Sequence, residues 1–188
     1  GGAFSWFAKK RIARIISITT NKKEGLNFLQ TEFNTLNDPS AKNLYDLANF
    51  YKDNSFFEQS VKYYSLALDK LPEEHKLLPK ILDNRGTSYE RLKIWDKAER
   101  DLRHSLKLSP EQPYVLNYLA YSWLERKTNI DESYEMLEKA NRLKKNDPYI
   151  MDSLGWAMYL TENYIEAEKF LRKAIELMPQ DPTINDHY

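Results

Sequence analysis

Small side chains recur at matched places in this sequence, and that recurrence leaves the chain few architectures. Four segments follow one template. The first runs Leu44, Leu47, Ala48, Tyr51, Phe57, Ser60, Tyr64, Ala67, Pro72, and the second Leu82, Arg85, Gly86, Tyr89, Trp95, Ala98, Leu102, Ser105, Pro110. The third runs Leu116, Leu119, Ala120, Trp123, Ile130, Ser133, Leu137, Ala140, with Lys145 in the proline's place. The fourth runs Met151, Leu154, Gly155, Met158, Tyr164, Ala167, Leu171, Ala174, Pro179. Successive copies are offset by 38, 34 and 35 residues. The surplus residues fall around Glu73–Leu78 and near Asn129, at connections, where length changes cost least.

Within each copy the apolar residues recur at spacings of three and four, the signature of helix faces. A small residue (Ala48, Gly86, Ala120, Gly155) stands where a first helix must approach its partner, and a second (Ser60, Ala98, Ser133, Ala167) answers it. Large side chains at both places would force the axes beyond the roughly 8–10 Å of packed helices. Phe57, Trp95 and Tyr164 are placed to fill the wedge near the bend. Pro79, Pro113, Pro148 and Pro182 open new hairpins, where a missing N–H costs nothing. An ordinary helical bundle shares the spacings of three and four, but not this registered set.

Composition agrees with a packed helical protein: 41% hydrophobic and 13% aromatic residues, with only 5 glycines and 8 prolines in 188 residues. Net charge is zero, which argues against a polyanion binder, and no nucleic-acid partner is expected. The balance is uneven: residues 1–24 hold six basic residues and one acidic, a net of +5. With no cysteine, disulfides and thiolate metal sites are excluded. No apolar run approaches the roughly 20 residues of a membrane span. The chain starts Gly1-Gly2 and stops at Tyr188 in mid-pattern, so it reads as a piece of a longer protein.

The template resembles the tetratricopeptide repeat (TPR) family. It shares the Leu-Gly/Ala then Tyr of that family's first helix, and the Ala, Tyr/Leu, Ala and Pro of its second. The stretch Asp101–Tyr188 also resembles a run in large bacterial TPR proteins. The resemblance implies an all-α fold, a right-handed superhelix of antiparallel helix pairs. Its segments would be residues 1–40, a basic N-terminal hairpin (degenerate repeat or cap), then repeats at 41–74, 75–112, 113–147 and 148–181. Residues 182–188 would open a fifth, with Tyr188 on its seventh position.

In the N-terminal 40 residues, Leu26, Leu29, Phe33 and Leu36 share a face of a second helix, Lys23–Leu36. The first helix, Phe4–Thr19, is expected to bury Phe4, Phe7 or Ala8, Ile12, Ile15 and Ile16. Its Lys9, Lys10, Arg11 and Arg14 also admit an interfacial membrane helix across residues 4–19.

No catalytic constellation is legible, and no enzyme, cofactor or metal site is expected. His75, His104 and His187 lack a metal-like partner at four-residue spacing and read as solvated. The serines have no nucleophile elbow or base. Acidic and basic residues alternate, as in Lys97–Asp101, the pattern of a solvated face.

The family fold implies that first helices line a groove. That face would carry Tyr45, Asn49 and Lys52 in the first copy, and Lys80, Asp83, Thr87 and Glu90 in the second. The third gives Tyr114, Asn117 and Tyr121, and the fourth Tyr149, Asp152, Trp156 and Tyr159. The Asn and Asp groups suit an extended peptide's main chain, and the aromatics offer flat contact area of the hot-spot kind. Tyrosine covering aliphatic neighbours, or aspartate capping a helix, would serve structure alone. The family's chaperone-binding subclass grips a C-terminal carboxylate with lysine, asparagine and arginine. Asn49 fits, but Asn117 and Tyr121 stand where the cations should be, so carboxylate-dependent capture is not expected.

These observations favour a non-catalytic scaffold that binds a peptide or protein in the groove. Two alternatives stay open: a self-assembly module, with a homodimer through an unpartnered C-terminal face of Leu171 and Ala174, and a substrate-docking region of a larger enzyme.

Overall fold

The computed structural model describes residues 5–187; the expectations for Phe4 and Tyr188 lie outside them. Among the described residues the protein is all-α, with eleven helices and no strand. They are α1 (Trp6–Thr19), α2 (Lys22–Asn34), α3 (Ala41–Asp53), α4 (Phe57–Leu68), α5 (Leu78–Arg91) and α6 (Trp95–Leu108), then α7 (Pro113–Glu125), α8 (Ile130–Leu143), α9 (Pro148–Leu160), α10 (Tyr164–Leu177) and α11 (Pro182–His187). Two compact units form, Gly1–Ser105 and Leu106–Tyr188.

The predicted small residues sit at the hairpin crossings. Ala48, Ser60, Ala98, Ala120 and Ser133 have no exposed surface, and Ala167 keeps 2%. At Gly86 a Cβ would come 3.0 Å from Leu102 Cγ and 3.2 Å from the Ala98 carbonyl oxygen. At Gly155 it would come 2.8 Å from Leu171 Cγ and 3.2 Å from the Leu171 backbone nitrogen. A side chain at Gly155 would therefore force Leu171 to shift, and one at Gly86 would need Leu102 and the Ala98 backbone to yield by a few tenths of an ångström.

Each of the four predicted hairpins turns by one device. The N–H groups of Phe56, Ile94, Thr128 and Asn163 donate to the carbonyls of Tyr51, Tyr89, Trp123 and Met158 at 2.9–3.0 Å. The preceding residues, Ser55, Lys93, Lys127 and Glu162, are left-handed, with φ between 53° and 69°. This closure normally recruits glycine, and its absence here explains how so many turns coexist with so few glycines. The extra residue of the third copy is absorbed by Asn129, a second left-handed residue (φ 48°) that begins α8.

In unit 1 one apolar cluster runs from Ala13, Leu26, Leu29 and Phe33 through Leu44, Leu47 and Tyr64 to Ile81. Two of its buried carboxylates are paired. Asp46, 8% exposed, accepts from Trp6 Nε1 at 3.2 Å, from Lys10 Nζ at 2.7 Å and from Lys42. Arg85 grips Asp101 with two hydrogen bonds of 2.7 and 3.0 Å and donates a third to Ser65 Oγ. In unit 2 the clusters join Ala120, Leu137, Leu154 and Ala167, and then Met151, Ala174 and Ile184.

Three expectations are corrected. On α1, Phe7 and Ile15 are exposed rather than buried, and Ala13 alone is fully buried, because Gly25 of α2 approaches there. Tyr164 is 58% exposed and does not fill the bend of its hairpin. The face of Leu171 and Ala174 does not lack a neighbour: Ile184 of α11 packs on Ala174 and is itself fully buried.

Gly25→Ala is expected to cost roughly 1–3 kcal/mol by overpacking, although alanine is intrinsically the better helix former. Its Cβ would lie 1.9 Å from Ser17 Oγ and 2.5 Å from the Ala13 carbonyl oxygen. Ala98→Leu should cost a similar amount. Urea unfolding checks both, and parental stability in both variants would contradict these crossings.

Candidate functional site

In unit 1 the groove-face residues lie on α3 (Tyr45, Asn49 and Lys52) and on α5 (Lys80, Asp83, Thr87 and Glu90). Tyr45 leans on Tyr64 with ring centres 6.0 Å apart, and its hydroxyl accepts from Asn84 Nδ2 at 3.4 Å. Asn49 Oδ1 is already engaged, accepting from the Tyr64 hydroxyl at 2.6 Å. Thr87 Oγ1 donates to the carbonyl of Asn84 at 2.9 Å. Asp83 is different, because burial pushes its carboxyl up to about 6 and the nearby Lys52 only partly offsets this. Lys52 itself donates to Asn84 Oδ1. Most of this face is thus bonded within the fold.

In unit 2 the residues divide into two groups. Tyr114 and Tyr149 stand at the N-terminal ends of α7 and α9, about half exposed. The Tyr114 hydroxyl donates to Asp147 Oδ2 at 3.0 Å, and the Lys144 ammonium lies 4.1 Å from its ring centre. Asp147 also caps α9 by accepting from the Ile150 N–H. These contacts give Tyr114 a structural occupation.

The second group, Asn117 and Tyr121 on α7 with Asp152 and Trp156 on α9, is where polar atoms go unmatched. Six buried side-chain polar atoms have no hydrogen-bond partner among the described residues, and three of them are Asn117 Oδ1, Asp152 Oδ1 and Trp156 Nε1. Buried polar groups are ordinarily satisfied, so this concentration is unusual for helices otherwise packed on aliphatic side chains. Burial also raises the Tyr121 phenol to about 12, with the charges of Glu125 and Asp152 adding to the effect.

His187 completes this group and corrects the expectation of a solvated histidine. Its Nδ1 lies 2.8 Å from Asp152 Oδ2, and its ring lies flat on Trp156, centres 4.8 Å apart and planes 12° apart. Tyr159 stacks against Trp156 at 5.3 Å, and Tyr121 faces the imidazole at 5.9 Å. The hydrogen bond to Asp152 raises the His187 pKa. Burial opposes that, while the charges of Asp152, Glu125 and Asp186 reinforce it. Position in the sequence did not reveal this contact, because it depends on Ile184 seating α11 against α9 and α10. Among the described residues, no three His, Cys, Asp or Glu groups gather to hold a metal ion, and no helix is long and apolar enough to cross a membrane.

Two pH responses follow. An imidazole whose pKa rises on folding stabilises fully below its free value of about 6.5 and loses that contribution as pH climbs through the raised value. Docking of α11 should therefore loosen as pH rises past the raised value. His187→Ala should remove the pH dependence of Trp156 emission, and identical titrations in both proteins would exclude the contact. Asp83 acts in the opposite sense. Its unfolded carboxyl ionises near 3.8 and its folded one near 6, so the fold loses stability between those values and stays penalised above them. Asp83→Asn should gain on the order of 1–3 kcal/mol at pH 7 and little at pH 4, as thermal or urea unfolding at both pH values would show.

No family model matches the chain. It is similar to a TPR repeat-containing protein of Pseudomonas aeruginosa, 33% identical over 112 residues, which is 60% of this chain and only 18% of that protein. Among solved structures, the MamA 41-end fragment from Desulfovibrio magneticus RS-1 superposes with a TM-score of 0.73 at 14% identity, covering 97% of this chain and 99% of that one. YrrB, described as a TPR protein with an unusual peptide-binding site, superposes with a TM-score of 0.68 at 16% identity, covering 98% and 91%. The chain thus has the fold of the TPR α-solenoids and resembles in sequence part of a larger bacterial TPR protein.

Proposed function

Starting from a TPR fold with polar atoms left open on its first helices, we propose that this chain is a non-catalytic scaffold that binds an extended peptide or protein segment. The repeats at 41–74, 75–112, 113–147 and 148–181 serve as its frame. The observation that carries the reading is the cluster on α7 and α9. Asn117 Oδ1 and Asp152 Oδ1 are acceptors and Trp156 Nε1 is a donor, all buried without partners. A polypeptide main chain presents the complement, N–H groups and carbonyls in alternation.

The neighbouring aromatics provide the apolar half of such a contact. Tyr121, Trp156 and Tyr159 lose little conformational freedom on binding and offer large flat faces. His187 rests on Trp156, so an incoming segment competes with it or packs beside it. YrrB, a TPR protein with an unusual peptide-binding site, supports the same class of ligand for a similar fold. Affinity should be modest, on the order of micromolar for a short segment.

Both Asn117→Ala and Trp156→Ala should weaken binding by more than about 1 kcal/mol each, read by titrating a library of extended peptides against the parent and each variant. Unchanged affinity in both would remove α7 and α9 from the binding face.

A further inference from the structure

The exposed side of α1 carries an arrangement that the peptide site of unit 2 does not use. Phe7, Arg11, Arg14, Ile15 and Ile18 fall within about 100° of arc on the helix. All five are exposed, Phe7 by 64% and Ile18 by 79%. Large apolar side chains so exposed beside one another mark interaction surfaces more often than chance exposure does. The charges divide by side. Lys9 and Lys10, away from this stripe, are paired at 2.7 Å with Glu32 and Asp46. Arg11 and Arg14 form no ion pair with a carboxylate among the described residues, and Arg11 instead lies 5.7 Å over the Phe7 ring.

Two cavities open on the stripe. One, of about 410 Å³, is bordered by Phe7, Arg11 and Arg14 and walled by Tyr45 and Asn49 of α3 and Asn84 of α5. The other, of about 210 Å³, joins Arg14, Ile18 and Lys22 to Phe50. The carboxylates bordering them are Asp46, already bonded to three donors, and Asp53. Cations therefore outnumber free carboxylates around these cavities, with Phe7, Ile18 and Phe50 as their apolar contacts.

We propose that this face binds a short acidic segment of another protein whose carboxylates pair with Arg11 and Arg14 and whose apolar side chains pack on Phe7 and Ile18. Arg11 and Arg14 stand one turn apart, about 5–6 Å between Cβ atoms. Alternate residues of an extended chain present side chains on one side at about 6.6 Å. From Phe7 to Ile18 is about 16 Å along the helix, the reach of five or six extended residues. A flat anionic membrane is the poorer occupant, because Arg11 and Arg14 border a cavity walled by α3 and α5.

The test uses the 188-residue chain and a labelled, N-acetylated, C-amidated heptapeptide, Phe-Ser-Glu-Ser-Glu-Ser-Ile, with its Glu-to-Gln counterpart as control. Anisotropy at low salt should show the Glu peptide binding about tenfold more tightly than the Gln peptide, the gap closing at 0.5 M salt. The double variant Arg11→Glu/Arg14→Glu, checked for an unchanged helical spectrum, should reverse the preference toward a Lys-for-Glu peptide. Trp156→Ala should leave this binding intact, which separates this site from the one on α7 and α9. Equal affinity for the Glu and Gln peptides would overturn the proposal. So would binding confined to phosphatidylserine vesicles, or self-association that depends on Phe7 and Ile18 while the peptide fails to bind.

Discussion

Both units rest on backbones approaching where paired helices cross. At Gly155 there is no room for a methyl group before Leu171, and at Gly86 none that Leu102 and Ala98 would not have to yield to. Close approach multiplies weak dispersion contacts along helices of 12 to 14 residues. It also spends most apolar surface inside the hairpins. The remaining face of each first helix carries the polar and aromatic groups of interest, bonded within the fold on α3 and α5 and partly open on α7 and α9.

Unit 1 shows how a buried polar group is normally accommodated. Asp46 is met by three donors, Arg85 and Asp101 form a two-bonded pair, and Ser60 donates at 2.9 Å to Ser88, whose own hydroxyl donates to the Asn84 carbonyl. Isolated exceptions occur at Ser17 and Ser133, but the face of α7 and α9 holds several together. Asn117, Asp152 and Trp156 hold polar atoms away from water with nothing to receive them. An unmatched buried group costs about 1–3 kcal/mol, and α7 and α9 carry three such atoms.

The N-terminal hairpin shows where reading by side-chain size stopped short. Ala13 and Gly25 are twelve residues apart, as are Ala48 and Ser60, Gly86 and Ala98, and Gly155 and Ala167. They meet as those pairs do, with Gly25 against the Ala13 carbonyl. The twelve-residue spacing is the signal for this crossing, whereas the large apolar residues of α1 point to a different face. Hydrophobicity ranks what prefers burial; it does not say which side a neighbouring glycine will allow to approach.

By itself the sequence determined the helical hairpins, their bends and their small-residue crossings, because these depend on contacts between residues close along the chain. It also nominated Asn117, Tyr121, Asp152 and Trp156 as residues the hairpins did not need. Tertiary structure alone decided which nominees were already bonded, as Asn49 is to Tyr64, and which were left open. It alone brought His187 onto Trp156 and Asp152, and turned Arg11 and Arg14 outward beside Phe7. Those outcomes depend on how one hairpin seats against the next, across dozens of residues, where no local period records the partner.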